Sequence, residues 1–83
     1  MIPINIGQAV RERIIELCRE RGITINKLSD LSGVTQSTVN NIVSGRNNSA
    51  TVATLKKLCD GLGISIQDFF HSDLFRDLEQ EIK

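Results

Sequence analysis

The sequence predicts an all-α protein: five short helices followed by an additional C-terminal helix. Three observations carry this. Apolar residues recur at intervals of three and four, the spacing of one helix face. Capping residue types stand just ahead of the apolar runs, and glycines close most of them. Period-two alternation never runs long; Ile2-Pro3-Ile4 and Ile23-Thr24-Ile25 are short instances, and both abut helix starts.

In chain order, Asn5 followed by Gln8 has the form of a capping box. Ile6, Val10, Ile14 and Leu17 give the first helix its apolar face, and Gly22 ends it. Thr24 caps a second helix presenting Leu28 and Leu31, broken at Ser32-Gly33. Thr35 caps a third, with Val39 and Ile42 apolar and Ser44-Gly45 as its stop. A polar loop, residues 46–50, leads to Thr51, which caps a fourth helix lined by Val52, Leu55, Leu58, Cys59 and Leu62 and closed by Gly61 and Gly63. Ser65 with Asp68 opens a fifth, carrying Ile66, Phe69 and Phe70. Leu74, Leu78 and Ile82 then follow at four-residue spacing, with Phe75 beside them, and predict an amphipathic C-terminal helix or tail over 71–83.

Composition narrows the function. At 83 residues and 40% hydrophobic, the chain is one small folded domain with a tail. No apolar run approaches the roughly 18 residues of a membrane helix, and the first residues lack the form of a signal peptide. Two cysteines and one histidine, His71, are too few for a disulfide framework or a metal set, so no metal, cofactor or small-molecule ligand is expected. Cys18 and Cys59 read as core residues of a cytoplasmic protein. No nucleophile–base pair or phosphate loop is evident, which speaks against an enzyme. The net charge is zero, but it is unevenly spread. Residues 1–57 hold eight Lys and Arg against four acids, and residues 58–83 hold two against six. A basic body with an acidic end can accompany nucleic-acid binding.

Residues 24–45 are the informative segment: a short helix, a turn containing Gly33, and a second short helix opening Thr35-Gln36-Ser37-Thr38. This is a helix-turn-helix pattern, in which the second helix can enter a major groove about 12 Å wide. Gln36, Ser37, Thr38, Asn40 and Asn41 carry no charge, whereas solvated helices usually use Glu and Lys. Short amides and hydroxyls suit base edges; the competing reading is a polar capping cluster with no partner.

The runs Val10–Thr24, Leu28–Val39, Ile42–Arg46 and Leu62–Phe70 together resemble the phage repressor/Cro (Xre-type) DNA-binding domain, with glycines, caps and apolar positions in register over residues 6–70. The resemblance implies a repressor-like five-helix bundle over 1–70 with the third helix as reader of double-stranded DNA. Carried over by position, Gln36, Ser37 and Asn41 face bases, with Asn40 a further candidate. Thr24, Thr35, Ser44, Arg46 and Asn48 face phosphates. The sequence departs from the pattern at three places. Ile25 occupies a position where many members have Gln. Cys18 and Val43 replace an Arg–Glu pair, and Ala50 replaces a Pro before the fourth helix.

These readings predict a small sequence-specific transcriptional regulator, acting as a homodimer on an inverted repeat. Leu74, Phe75, Leu78 and Ile82 are candidates for the dimer contact or for packing back on the bundle. The alternative is an antitoxin-like protein-interaction module of the same fold with weak or no specific DNA binding.

Overall fold

A computed structural model describes residues 4–45 and 50–82. Five α-helices follow one another: α1 (Ile6–Arg21), α2 (Ile25–Ser32), α3 (Gln36–Val43), α4 (Val52–Leu62) and α5 (Ile66–Phe69). The bundle predicted from the sequence is therefore present, in the predicted order.

Each start has the chemistry read from the sequence. Asn5 accepts from the Gln8 N–H at 2.8 Å while the Gln8 side chain accepts from Asn5 N–H at 3.1 Å, a complete capping box. Thr24, Thr35, Thr51 and Ser65 each accept from the N–H three residues on, at 3.0, 3.3, 3.1 and 2.9 Å. A cap of this kind contributes about 1 kcal/mol, enough to fix where helices of eight residues begin.

The apolar faces of α1 to α5 meet in one core. Ile14, Leu28, Val39, Leu58, Cys59 and Phe69 are fully buried at its centre, with Val10, Leu17, Cys18, Ile42, Leu55 and Leu62 around them. Cys18 is buried and Val43 half-buried against this core, so an apolar pair fills the positions at which the resemblance implied charges. Ile25 likewise packs on the core. Burial pushes both thiols above their ordinary range, more than Arg21 lowers Cys18 or Lys56 lowers Cys59. They are held as protonated packing groups.

Two arginines of α1 tie down distant helix ends. Arg13 donates from Nε to Phe69 O at 2.7 Å and from Nη2 to Asp68 O at 2.9 Å, and pairs with Glu16. Arg21 donates from Nε to Leu62 O at 3.2 Å. Both bond carbonyls at helix ends, and Asp68 O accepts from His71 N–H as well.

Three sequence expectations are corrected. Leu31 is 49% exposed and does not help hold α2 against α3. Gly61 lies inside α4 rather than closing it, and only Gly63, at φ +72°, is the stop. A Cβ at Gly61 would lie 2.9 Å from the Ser32 backbone, so the glycine lets α2 and α4 approach. Finally, the amphipathic C-terminal helix does not form. Only Asp73–Phe75 is helical, as a 3-10 turn capped by Ser72. The chain then extends, and Glu79 N–H donates to Ile4 O at 3.0 Å in an isolated parallel bridge between Ile4 and Leu78. A helix of a dozen residues is marginal by itself. Here the competing partners are tertiary: Phe75 packs on the core and edges onto Phe70 at 4.8 Å between ring centroids, and Phe70 edges onto Phe69 at 5.0 Å. Leu74 and Leu78 are half-buried on their own chain, and only Ile82, 88% exposed, faces solvent freely. No common stripe of these four residues exists.

Candidate nucleic-acid interface

The turn between α2 and α3 is built to be rigid. Gly33, at φ +71°, takes the left-handed conformation that ends α2, a conformation L side chains rarely adopt. Val34 then inserts into the core. Ser29, buried on α2, donates its hydroxyl to Val34 O and so bonds the helix to the turn that follows it. Ser32 donates to Leu28 O at 2.7 Å. Val39 and Ile42 bury the inner face of α3. The outer face is thereby fixed in direction by the burial of the inner one.

That outer face holds the predicted base readers. Gln36, Ser37, Asn40 and Asn41 are all exposed along α3, as is Ser44 at its end. The hydroxyls there are largely used at home. Thr35 accepts from Thr38 N–H and shares a hydrogen bond with the Thr38 hydroxyl at 2.8 Å, and Ser44 donates to Asn41 O at 3.3 Å. The side-chain amides of Gln36, Asn40 and Asn41 make no hydrogen bond to another described residue. Toward the described residues their bonding capacity is unspent. Thr24 and Thr35 occupy the exposed N-caps of α2 and α3, as the sequence indicated. Arg46 and Asn48 lie outside the described residues.

Neither α2 nor α3 has an acidic residue in its first turn, so the positive end of each helix dipole is left uncompensated. Five carboxylates gather toward the C-terminal end, Asp68 and Asp73 in the first turns of α5 and the 3-10 turn and exposed Asp77, Glu79 and Glu81 in the extended segment, while α2 carries exposed Asp30 beyond its first turn.

Sequence reasoning missed Arg11. From α1 its Nη1 reaches to 3.8 Å from the Cβ position of Gly45, the residue just past α3. Its Nε is buried without a hydrogen-bond partner among the described residues, and Nη2 pairs with Glu12 at 3.2 Å. The signal was available: Arg11 shares a face of α1 with Ile14 and Cys18, three and seven positions on. Among the described residues no group of His, Cys, Asp and Glu could hold a metal ion, and no helix is long and apolar enough to cross a membrane.

A short helix, a glycine turn and an outward second helix locked on a helical core define a helix-turn-helix domain. The chain belongs to the helix-turn-helix family HTH_3, which matches residues 14–69. It is 30% identical over 70 residues to the SPbeta prophage-derived uncharacterized HTH-type transcriptional regulator YopS of Bacillus subtilis (strain 168), spanning 84% of this chain and 90% of that protein. Among solved structures it is similar to the prophage Lp1 protein 11, with a TM-score of 0.78 at 37% identity, covering 90% of this chain and 99% of the other. An HTH_3 family transcriptional regulator from Vibrio cholerae superposes with a TM-score of 0.76 at 29% identity over 83% of this chain. The match takes in only 38% of that longer chain.

Proposed function

We propose that this chain is a sequence-specific double-stranded DNA-binding transcriptional regulator that works in the cytoplasm by binding rather than catalysis, as a homodimer on an inverted repeat. The observation that carries the reading is the outer face of α3: exposed side-chain amides that bond to no other described residue, on a helix whose other face is buried in the core. Its relatives support it, since the Bacillus and Vibrio proteins are named as transcriptional regulators. Gln36, Ser37, Asn40 and Asn41 read bases. Thr24, Thr35 and Ser44, with Arg46 and Asn48, hold the backbone through helix N-termini and the following loop. A two-fold dimer places its two α3 helices about 34 Å apart, one DNA turn, which makes the site an inverted repeat.

Ile25 favours the antitoxin-like alternative, because an apolar side chain packed on the core offers no hydrogen bond to a phosphate. Selection from a pool of random duplexes separates the two readings. Enrichment of one motif in two inverted half-sites supports the regulator. Retention of duplexes without any motif, or of none, supports the interaction module.

A further inference from the structure

We propose that the cleft around the 3-10 turn docks a basic segment of another protein, a Lys or Arg stem lying on Ile4 and Leu74 and an apolar neighbour on Phe70 and Phe75. The inference goes beyond DNA binding and does not depend on it. Two hollows, of about 510 and 530 Å³, share Ser72 and Asp73 and so adjoin across the turn. Half-buried Ile4 and Leu74 line the first, together with Glu16, Asp73 and Asp77. Phe70 and Phe75 line the second, and Phe70 remains 36% exposed although the two rings meet edge to face. Apolar walls beside carboxylates select the occupant. Lys and Arg lay their stems along apolar surface and keep the charged head on polar partners. Glu16 is paired with Arg13, and Asp73 with Arg76 at 3.0 Å. Asp77 is exposed and pairs with no cation among the described residues, so it is the carboxylate open to an incoming head group.

Charge disfavours the other occupants. Residues 68–81 hold five carboxylates, Asp68, Asp73, Asp77, Glu79 and Glu81, against Arg76 alone. A second copy docked by this face would set those carboxylates against their own kind, and a nucleic acid would bring phosphates to them. A metal ion finds no ligand group among the described residues. The cleft also stands clear of α3. At about 100° per residue, positions 11 and 13 point about 200° apart around α1. Arg11 reaches Gly45 at the end of α3, while Arg13 holds the Asp68 and Phe69 carbonyls of α5. The end of α3 and α5 therefore lie on opposite sides of α1. Glu16, three residues beyond Arg13, is on the α5 side and lines the cleft. A basic segment can dock there while α3 is engaged.

The test presents the full chain to a phage-displayed library of random peptides and measures the enriched peptide, made synthetically, by fluorescence anisotropy. The enriched sequences should place a Lys or Arg within a few positions of an aromatic or aliphatic residue. Their affinity should fall as salt is raised, and Asp77→Lys should weaken it about fivefold with the melting temperature unchanged. Asp77→Asn should lose less. Amide shifts of the labelled chain should move at Glu16 and over residues 70–78. The proposal is overturned if no peptide is enriched, if the enriched peptides are acidic or uncharged, or if Asp77→Lys binds them as the parent does. Shifts that fall on α3 instead would also overturn it. So would self-association of the parent that Asp77→Lys abolishes, which would give the cleft to a second copy. None of these readouts involves DNA, so this proposal and the DNA-binding reading fail separately.

Discussion

Three single residues, Ser29, Gly61 and Arg11, shape the setting of α2 and α3. Ser29 is a buried hydroxyl whose single described partner is Val34 O, across the turn that sets the direction of α3. Ser29→Ala leaves that carbonyl without the bond and should cost about 1–3 kcal/mol in denaturant unfolding. An unchanged midpoint would show that the turn is held by Gly33 and Val34 alone. Gly61→Ala sets two effects against each other. Alanine favours helix over glycine by about 1 kcal/mol, but its methyl would stand 2.9 Å from the Ser32 backbone. Overpacking against main chain costs about 1–3 kcal/mol, so the expected sign is destabilising. A raised melting temperature would contradict the close approach of α2 and α4. Arg11 brings a cation to the end of α3. Arg11→Gln should weaken binding to all duplexes alike and reduce the salt dependence by about one unit of slope, whereas Gln36→Ala should relax preference at one or two base pairs. The contrast is read by titrating both variants on matched and mismatched duplexes at several salt concentrations.

At the scale of elements, the starts of all five α-helices were legible because each is a local event. Asn5, Thr24, Thr35, Thr51 and Ser65 cap the N–H three residues on, within a distance any sequence reader can scan. The stops at Gly22, Gly33 and Gly63 are equally local. What was not legible is tertiary. Gly61 looks like a second stop until α2 is laid beside it. Leu31 has the right period for the core but lies past its edge. The anchoring of α5 by Arg13 spans more than fifty residues and leaves no pattern in the sequence. The C-terminal segment shows the same limit. Four-residue spacing of Leu74, Leu78 and Ile82 fits a helix, yet contacts with Ile4 and the phenylalanine cluster favour a 3-10 turn and an extended strap. Phe75→Ala should therefore cost about 2–3 kcal/mol of stability, low for a phenylalanine because the ring is only half-buried. A variant as stable as the parent would return this segment to the role of an uncommitted tail.

Over the whole molecule, which measures 36 × 22 × 20 Å, the charge asymmetry read from the sequence takes a spatial form. The acids of residues 68–81 collect on α5, the 3-10 turn and the strap, while the first turns of α1 to α4 carry none. Stability has its own pH dependence through the two core thiols. Both have pKa values raised by burial above the ordinary 9.0, so the folded state keeps protons that the unfolded chain gives up. Their contribution is complete below that value and is lost as pH rises through the raised folded pKa. Unfolding free energy should then fall as pH climbs past about 9, and less steeply in Cys18→Ala, when followed by denaturant melts across that range.

The exposure of the candidate residues was legible as a class, uncharged amides and hydroxyls on one short helix, but not which of them bond to their own helix. That required knowing that Thr35, Thr38 and Ser44 spend their hydroxyls on the helix itself. The central claim is that the outer face of α3 meets the DNA. It is tested most directly by amide chemical shifts of the nitrogen-15-labelled chain titrated with its selected duplex. The account predicts that the largest changes fall at residues 35–45 and at the start of α2, with residues 72–82 nearly still. Changes concentrated on the strap and α5, with α3 unmoved, would contradict it.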